Sequence, residues 1–356
     1  MQTFAEQRCD RRKLTNLKDV AEYVGMSVST VSRVLNDKAY VDPSTRRIVL
    51  AAVEELGYRP NALARSLKIG RTYTIALLIP DIQNLYLTMI VRGVEDAARQ
   101  EGLTVILCNT DENTDIEAEY INVLRDRWVD GFVISSISKK SDSIRRLKNE
   151  GYPMVLTVRY YDYLSGIDTV AVDNFNAAYQ AVKYLYELGH RQIGLVLGDI
   201  SLNVYKDRFA GYREALRDFD LPLNERIIIK NAVDGSEALI HDVEMMVNQP
   251  TDCPDAIFAT SDLKAISVMH ALHKNGKQIP EDISVMGFDD IPLSSLVHPT
   301  LTTMKQPLYE IGQLSVQKLI SQIEAKATNG QHIHSIELLP TEIISRQSTR
   351  RRSERL

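Results

Sequence analysis

Two hydrophobic periodicities divide this chain. Through residues 16–57 apolar positions recur at helical spacing in three short bursts, and from Thr74 onward short β-type runs alternate with amphipathic stretches. The first burst puts Val20, Ala21 and Val24 on one face behind an Asn16 N-cap, with Asp19 placed to complete a capping box. Gly25 supplies the left-handed residue that ends it. Ser27 caps the second burst, whose Val31, Val34 and Leu35 face a small core. The third opens at Asp42-Pro43, where proline's missing N–H costs nothing. Its predicted core face is Ile48, Val53 and Leu56, and Gly57 stops it.

In the remainder, strands are predicted over 74–80, 104–109, 131–135, 154–158, 193–197, 227–230, 256–259 and 283–287. Helices are predicted over 85–100, 176–188, 205–218, 236–247 and 263–274. Such alternation implies parallel sheets with helices on both faces. A split near Leu188-Gly189-His190 gives two similar halves, and one large doubly wound domain is the alternative that periodicity leaves open. Ligands bind these sheets beyond the carboxyl ends of the strands. The polar residues there are Asp81 to Tyr86, Asn109-Thr110-Asp111, Arg159, Arg208, Thr260-Ser261-Asp262 and Phe288-Asp289-Asp290. Carboxylates, an arginine fork and an aromatic face suit a hydroxyl-rich ligand. Taken singly each is also a helix-cap candidate, and Asp262 is expected to cap the helix from Leu263.

The net charge of −5 conceals an asymmetry. Residues 1–70 carry 12 Lys/Arg against 8 Asp/Glu, and the rest carries 30 against 39. A cationic head on an anionic body suits a protein that sets one end on phosphate. Arg8, Arg11, Arg12 and Lys13 add a basic arm. No apolar run approaches the length of a membrane span, and residues 1–14 lack the apolar region of a secretory signal. Cys9, Cys108 and Cys253 lack metal-ligand spacing, which fits a reducing cytoplasm. There is no G-x-G-x-x-G, P-loop or nucleophile–base motif, and His190, His241, His270 and His273 lie on or beside helical faces without a partner motif, so an enzyme is not expected. A plain solute-binding protein is disfavoured by the cationic head.

The outer face of the second helix carries Val28, Ser29, Ser32 and Arg33, a mix suited to base edges and thymine methyls in a major groove. Beyond Tyr58, Pro60 and Asn61 start a stretch of about two helical turns, too short to be stable alone. Its Leu63 and Leu67 have no core nearby, and composition alone would read it as a linker.

The strings DVAEYVGMSVSTVSRVLN, VDPSTRRIVLAAVEELGYRPN and ALARSL resemble the head and hinge of the lactose/galactose-repressor (LacI/GalR) family. LGHRQIGLVLG, DRFAGYREAL, PDAIFATSDLKAISVM and ISVMGFDDIPLSSLVHPTLTTMKQP resemble its core. The resemblance implies an all-α helix-turn-helix DNA-binding domain plus an α/β periplasmic-binding-protein-like core of two doubly wound parallel-sheet subdomains. The implied organisation is a basic arm 1–15, a helix-turn-helix 16–59, a hinge 60–70, a core 71–347 and a basic tail 348–356. Within the core one subdomain is expected from 71–188 and 305–328, the other from 189–304 and 330–347.

By the same resemblance Val28, Ser29 and Arg33 read bases. Ser27, Thr30, Ser32, Asn36 and Tyr58 place the helix, Asn16 joins the DNA-facing set, and Asn61 meets the backbone. Leu67 wedges into the minor groove with Ala64 beside it. Tyr86, Arg208, Ser261 and Asp289 fall at effector contacts, with Asn84, Leu87, Arg159 and Gln306 close by. Three positions depart from the pattern: Leu85 and Leu87 replace a proline and an aromatic, and Val158 replaces an aspartate before the arginine. The implied protein is a cytoplasmic homodimeric repressor on a palindromic double-stranded DNA operator, controlled by a small polar effector of carbohydrate type, with no cofactor, metal or membrane partner. The tail STRRRSERL lacks a leucine zipper, so a dimer is expected rather than a tetramer. An alternative is the catabolite-control subgroup, governed by a phosphorylated carrier protein. PNALARSL and MKQPLYEIG resemble that subgroup, but His298 stands where a partner-contacting arginine is expected.

Overall fold

The computed structural model describes residues 16–35, 41–58, 70–126, 128–135, 141–160, 164–249 and 251–352. The chain divides into two compact units, 1–72 and 73–356.

The first unit holds α1 (Leu17–Tyr23), α2 (Val28–Leu35) and α3 (Pro43–Glu55). Local chemistry sets their ends. The Asn16 carboxamide accepts from Lys18 N and Asp19 N, and Asp19 returns a bond to Asn16 N at 2.8 Å. The Asp42 carboxylate accepts from Ser44 N and Thr45 N. Gly25 and Gly57 take φ +62° and +58°, closing the turns after α1 and α3. Val20, Ala21, Val31, Val34, Val49 and Ala52 form the buried centre, with Val24, Leu35, Val53 and Leu56 packed against it. Ile48, expected inside, is 48% exposed. The buried stripe of α3 is 49, 52, 53 and 56, which the 3.6-residue period puts on a single face, and it turns Ile48 about 100° away from that face.

The second unit is built from two six-stranded sheets, each with apolar clusters on both faces. In chain order the elements are β1 (Thr74–Ile79), α4 (Leu85–Gln100), β2 (Thr104–Asn109), α5 (Thr114–Arg125), β3 (Gly131–Ile134), α6 (Asp142–Asn149), β4 (Met154–Thr157) and β5 (Asp168–Val172). There follow α7 (Asn174–Glu187), β6 (Ile193–Val196), α8 (Asn203–Asp218), β7 (Ile228–Ile229), α9 (Glu237–Val247), β8 (Ala256–Ala259), α10 (Asp262–Lys274), β9 (Ser284–Asp289) and β10 (Thr302–Lys305). The last are α11 (Leu308–Ala327), β11 (Ile336–Leu339) and β12 (Glu342–Ile344). The first sheet runs β11-β5-β4-β3-β1-β2 and is wholly parallel. The second runs β12-β10-β9-β8-β6-β7, parallel except that β12 is antiparallel to β10.

The lobe boundaries differ from those expected. The first crossover follows β5, so α7 packs in the second lobe, where Ala177, Ala181 and Leu185 join Leu195 and Tyr212 in one core. The chain returns after β10, and β11, expected in the second lobe, pairs with β5 of the first. It crosses again before β12. Amphipathic helices look alike whichever sheet they cover, so periodicity places the break at the end of a helix rather than before it. Strands β5, β10, β11 and β12 are short or irregular in pattern, and periodicity does not reveal them. No helix among the described residues is long and apolar enough to cross a membrane.

Glycine sets the distance between packed helices in the first lobe. A Cβ at Gly312 on α11 would lie 2.4 Å from the Ile90 carbonyl oxygen of α4, and one at Gly93 would lie 2.1 Å from Tyr309 O. Both obstacles are backbone, which cannot rotate away. Gly312→Ala is therefore expected to cost about 3 kcal/mol of stability, measured as a shift in urea midpoint with unchanged slope.

Candidate DNA-reading surface and effector site

On the first unit, α2 presents an exposed face. Val28 is 40% exposed, Ser29 and Arg33 are exposed, and Ser32 is half-buried. Ser27 Oγ accepts from Thr30 N at 3.1 Å, and lies 2.7 Å from Ser29 Oγ and 2.8 Å from Thr30 Oγ1. That network fixes the start of α2 and holds its hydroxyls in one cluster. Asn16 uses its carboxamide as the cap of α1, and Tyr58 packs against the small core. Asn36, Asn61, Ala64 and Leu67 lie outside the described residues.

On the second unit, strand ends from both lobes converge. Tyr86 sits in the first turn of α4, within electrostatic reach of Arg159, Asp289, Tyr205 and Arg208. Burial raises its phenol pKa above the ordinary value, with Arg159 opposing. Arg208 is 4% exposed. Its Nε donates to Asn174 Oδ1 at 2.8 Å, one terminal nitrogen donates to Thr260 O at 2.5 Å, and its guanidinium stacks 3.6 Å from the Phe288 ring centroid. Asp289 Oδ1 accepts from Gln306 Nε2 at 2.7 Å. Burial pushes the Asp289 carboxyl up to about 7 against the pull of Arg208. Asn174 follows the first crossover and Gln306 lies at the second. The segments joining the lobes therefore hold the arginine and the carboxylate directly.

Arg159 forms a two-pronged ion pair with Glu112, at 2.6 and 2.7 Å. Val158 lacks the acceptor expected before the arginine, and Glu112, from the loop after β2, supplies one. Both loops are strained: Val158 has φ +66° and Glu112 φ +55°, while Asp289 has φ +128°. A β-branched residue at positive φ is a genuine outlier, and such strain gathers at ligand sites where the surrounding fold enforces it. Ser261 caps α10, and its hydroxyl also faces Asp234. The buried Lys264 reaches the same Asp234 oxygen at 2.8 Å.

Two residues take places other than those expected. Leu87 does not face the site: it is fully buried in the first-lobe core with Ile90 and Val94, because positions 87, 90 and 94 share the sheet-facing side of α4. Asp262 is not the cap of α10, a role Ser261 takes. Its carboxylate, fully buried, accepts from Ile291 N, Ser294 Oγ and Thr303 Oγ1, tying α10 to β10 and to the turn after β9. Asn84 caps α4 through Tyr86 N at 3.3 Å. Sequence reading misses Glu112, Asn174, Lys264 and Tyr205. A lysine on the otherwise apolar α10 face is the available signal for Lys264. Tyr205 supplies an aromatic wall, seated where a Cβ at Gly198 would come within 2.4 Å of its ring.

A helix-turn-helix unit joined to a two-lobed body of this kind defines a DNA-binding regulator with a ligand-binding core. Residues 16–61 match the bacterial regulatory proteins of the lacI family, and residues 72–342 match the periplasmic binding proteins and sugar binding domain of the LacI family. The chain belongs to the LacI/GalR family of transcription regulators. It is 36% identical to a ribose operon repressor of Halalkalibacterium halodurans, over 95% of this chain and 98% of that one. It is 34% identical to catabolite control protein A of Priestia megaterium, over 93% and 98%. Among solved structures, a lac repressor dimer bound to operator and the anti-inducer ONPF superposes with a TM-score of 0.84 at 27% identity, covering 95% of this chain and all of that one. The protein is thus a DNA-binding repressor with a ligand-binding core, and not an enzyme.

Proposed function

We propose that this protein is a cytoplasmic homodimer that represses transcription from a palindromic operator and is controlled by a sugar or sugar derivative bound between its two lobes. The observation that carries the effector reading is the buried set Arg208, Asp289 and Gln306. It offers a guanidinium, a carboxylate and an amide beside the Phe288 and Tyr205 rings, among strained strand ends. Fork donor, acceptors and stacking face together match a ring bearing vicinal hydroxyls. Effector binding shifts the equilibrium between lobe arrangements only as far as it prefers one of them. The crossover contacts of Asn174 and Gln306 couple that preference to the lobe angle. The two-fold symmetry of a dimer then requires a palindrome.

At the DNA, Val28, Ser29 and Arg33 read bases, Ser27, Thr30, Ser32, Asn36 and Tyr58 position the helix, and the hinge 60–70 enters the minor groove through Leu67. Leu67→Ala is expected to weaken operator binding about tenfold or more while leaving nonspecific binding within about twofold. An equal loss on both DNAs removes the wedge role. The first experiment is to incubate the purified chain with fragmented DNA of its source and sequence what it retains. A palindrome upstream of uptake or catabolic genes supports the proposal and nominates the effector. No enrichment, with or without added sugars, overturns it.

A second reading is a regulator whose DNA binding is promoted by a phosphorylated carrier protein. The 34% identity to catabolite control protein A favours it, and His298 in place of a partner-contacting arginine weighs against it. Operator affinity that rises with a phosphorylated carrier and ignores sugars would establish this second reading.

A further inference from the structure

Asp168 opens β5 near the edge of the first sheet and is 1% exposed. One of its oxygens, Oδ2, has three nitrogens around it: His332 Nε2 at 2.6 Å, Gln322 Nε2 at 2.7 Å and His334 Nδ1 at 3.3 Å. The other, Oδ1, accepts from Ser335 N at 2.8 Å. Gln322 is fixed in this orientation, since its Oε1 accepts from Met154 N and its Nε2 also donates to Met154 O. A carboxylate oxygen has two lone pairs to offer. With Gln322 using one, two imidazole nitrogens crowd the other. A divalent cation placed among them would take a lone pair from each ring nitrogen and from the carboxylate.

We propose that Asp168, His332 and His334 form a binding site for a divalent transition metal, Zn²⁺ or Ni²⁺ by ligand chemistry. Among the described residues these side chains bring one carboxylate and two imidazoles together with all ligand atoms within 4.8 Å of one another. Ligands at about 2.0–2.1 Å around a tetrahedral ion stand about 3.3 Å apart. The Asp168–His334 separation already has that value, and the Asp168–His332 separation, 2.6 Å, has to widen by about 0.7 Å to reach it. The movement is available: the imidazoles are 19% and 41% exposed, and Ile333 between them is 89% exposed. His332 and His334 both reach Asp168 while Ile333 between them faces solvent.

The surroundings also fit. His332 Nδ1 faces Ser321 Oγ at 3.5 Å, the outer partner that orients a ligating imidazole. His332, His334 and Gln322 also line a cavity of about 280 Å³, large enough to hold water beside the cluster. The two lysines lining it have other partners. Lys148 Nζ donates to Ser165 O, and Lys326 Nζ donates to Gly151 O at 3.1 Å. Imidazole ligands select Zn²⁺ or Ni²⁺ over Mg²⁺. A bound ion would pin the segment ahead of β11 to β5.

The test uses the full-length, untagged chain stripped with EDTA, titrated with zinc chloride against a chromogenic chelator, with melting followed in parallel. One zinc per chain is expected at micromolar affinity or tighter. The melting midpoint should rise by roughly 5 °C at a hundredfold excess over Kd, and magnesium should do nothing. The doubly substituted His332→Ala/His334→Ala chain should bind about a hundredfold more weakly and lose the thermal response to zinc, while its metal-free midpoint falls by a few degrees because the buried Asp168 loses a hydrogen-bond partner. Cys9→Ser and Cys253→Ser should bind as the parent does. No binding by the parent, or undiminished binding by the double variant, overturns the proposal.

Discussion

Arg33→Ala is expected to lower operator affinity by roughly 30-fold to 10⁴-fold while weakening nonspecific DNA binding only a few-fold. The asymmetry follows from what the side chain can do. Arg33 is exposed on the last turn of α2, outside the buried set formed by Val31 and Val34. A guanidinium there can hold a guanine edge with two hydrogen bonds, worth about 1–3 kcal/mol, and a dimer makes that contact twice. Against random sequence the same group contributes one phosphate neutralisation per head, a salt-dependent term without sequence information. The head core does not use Arg33, so the melting profile should stay that of the parent. Fluorescence anisotropy with operator and scrambled duplexes at fixed salt decides between the roles. Equal losses on both duplexes would reduce Arg33 to a phosphate contact.

Asp289→Asn is expected to weaken effector binding by about 10- to 100-fold, the range for one charged hydrogen bond, and to leave effector-free operator binding intact. Asparagine keeps the shape and an oxygen for Gln306 Nε2, so the loss reports the charge rather than a cavity. The pH profile makes the assignment specific. Burial holds the Asp289 carboxyl up to about 7, with Arg208 pulling the other way. Effector affinity in the parent should therefore fall about tenfold from pH 8 to pH 6, as the carboxylate acquires a proton and loses acceptor capacity. In the asparagine variant this slope should vanish. Stability carries the opposite sign. Between the ordinary carboxylate value of 3.8 and about 7 the folded chain holds a proton that the unfolded chain has released. Asp289 thus makes the effector-free fold less stable as pH rises through that window, and its contribution levels off above it. Calorimetry with and without effector across pH 5–8 measures both slopes, and a parallel profile in parent and variant would remove Asp289 from the site.

Features governed by neighbours in sequence are legible in the chain itself. The caps at Asn16, Ser27 and Asp42, the glycine stops at 25 and 57, and the bounds of α4 and β2 follow from periodicity and capping within a turn or two. Placing polar residues just beyond strand ends marks Tyr86, Arg159, Arg208, Ser261 and Asp289, because parallel sheets expose that edge to ligands. The family resemblance then supplies roles that pattern alone cannot. Tertiary structure decides which distant residues meet. Glu112 pairs with Arg159 across 47 residues, and Gln322 and His332 close on Asp168 across 154 and 164. It turns Leu87 into the core and makes Asp262 a buried tie between elements rather than a cap. It also moves α7 into the second lobe and β11 into the first. Periodicity encodes which face of an element is apolar, a property of the element alone. Sheet order and the points where the chain crosses between lobes set that element's partners, and these come from the packing of the whole body.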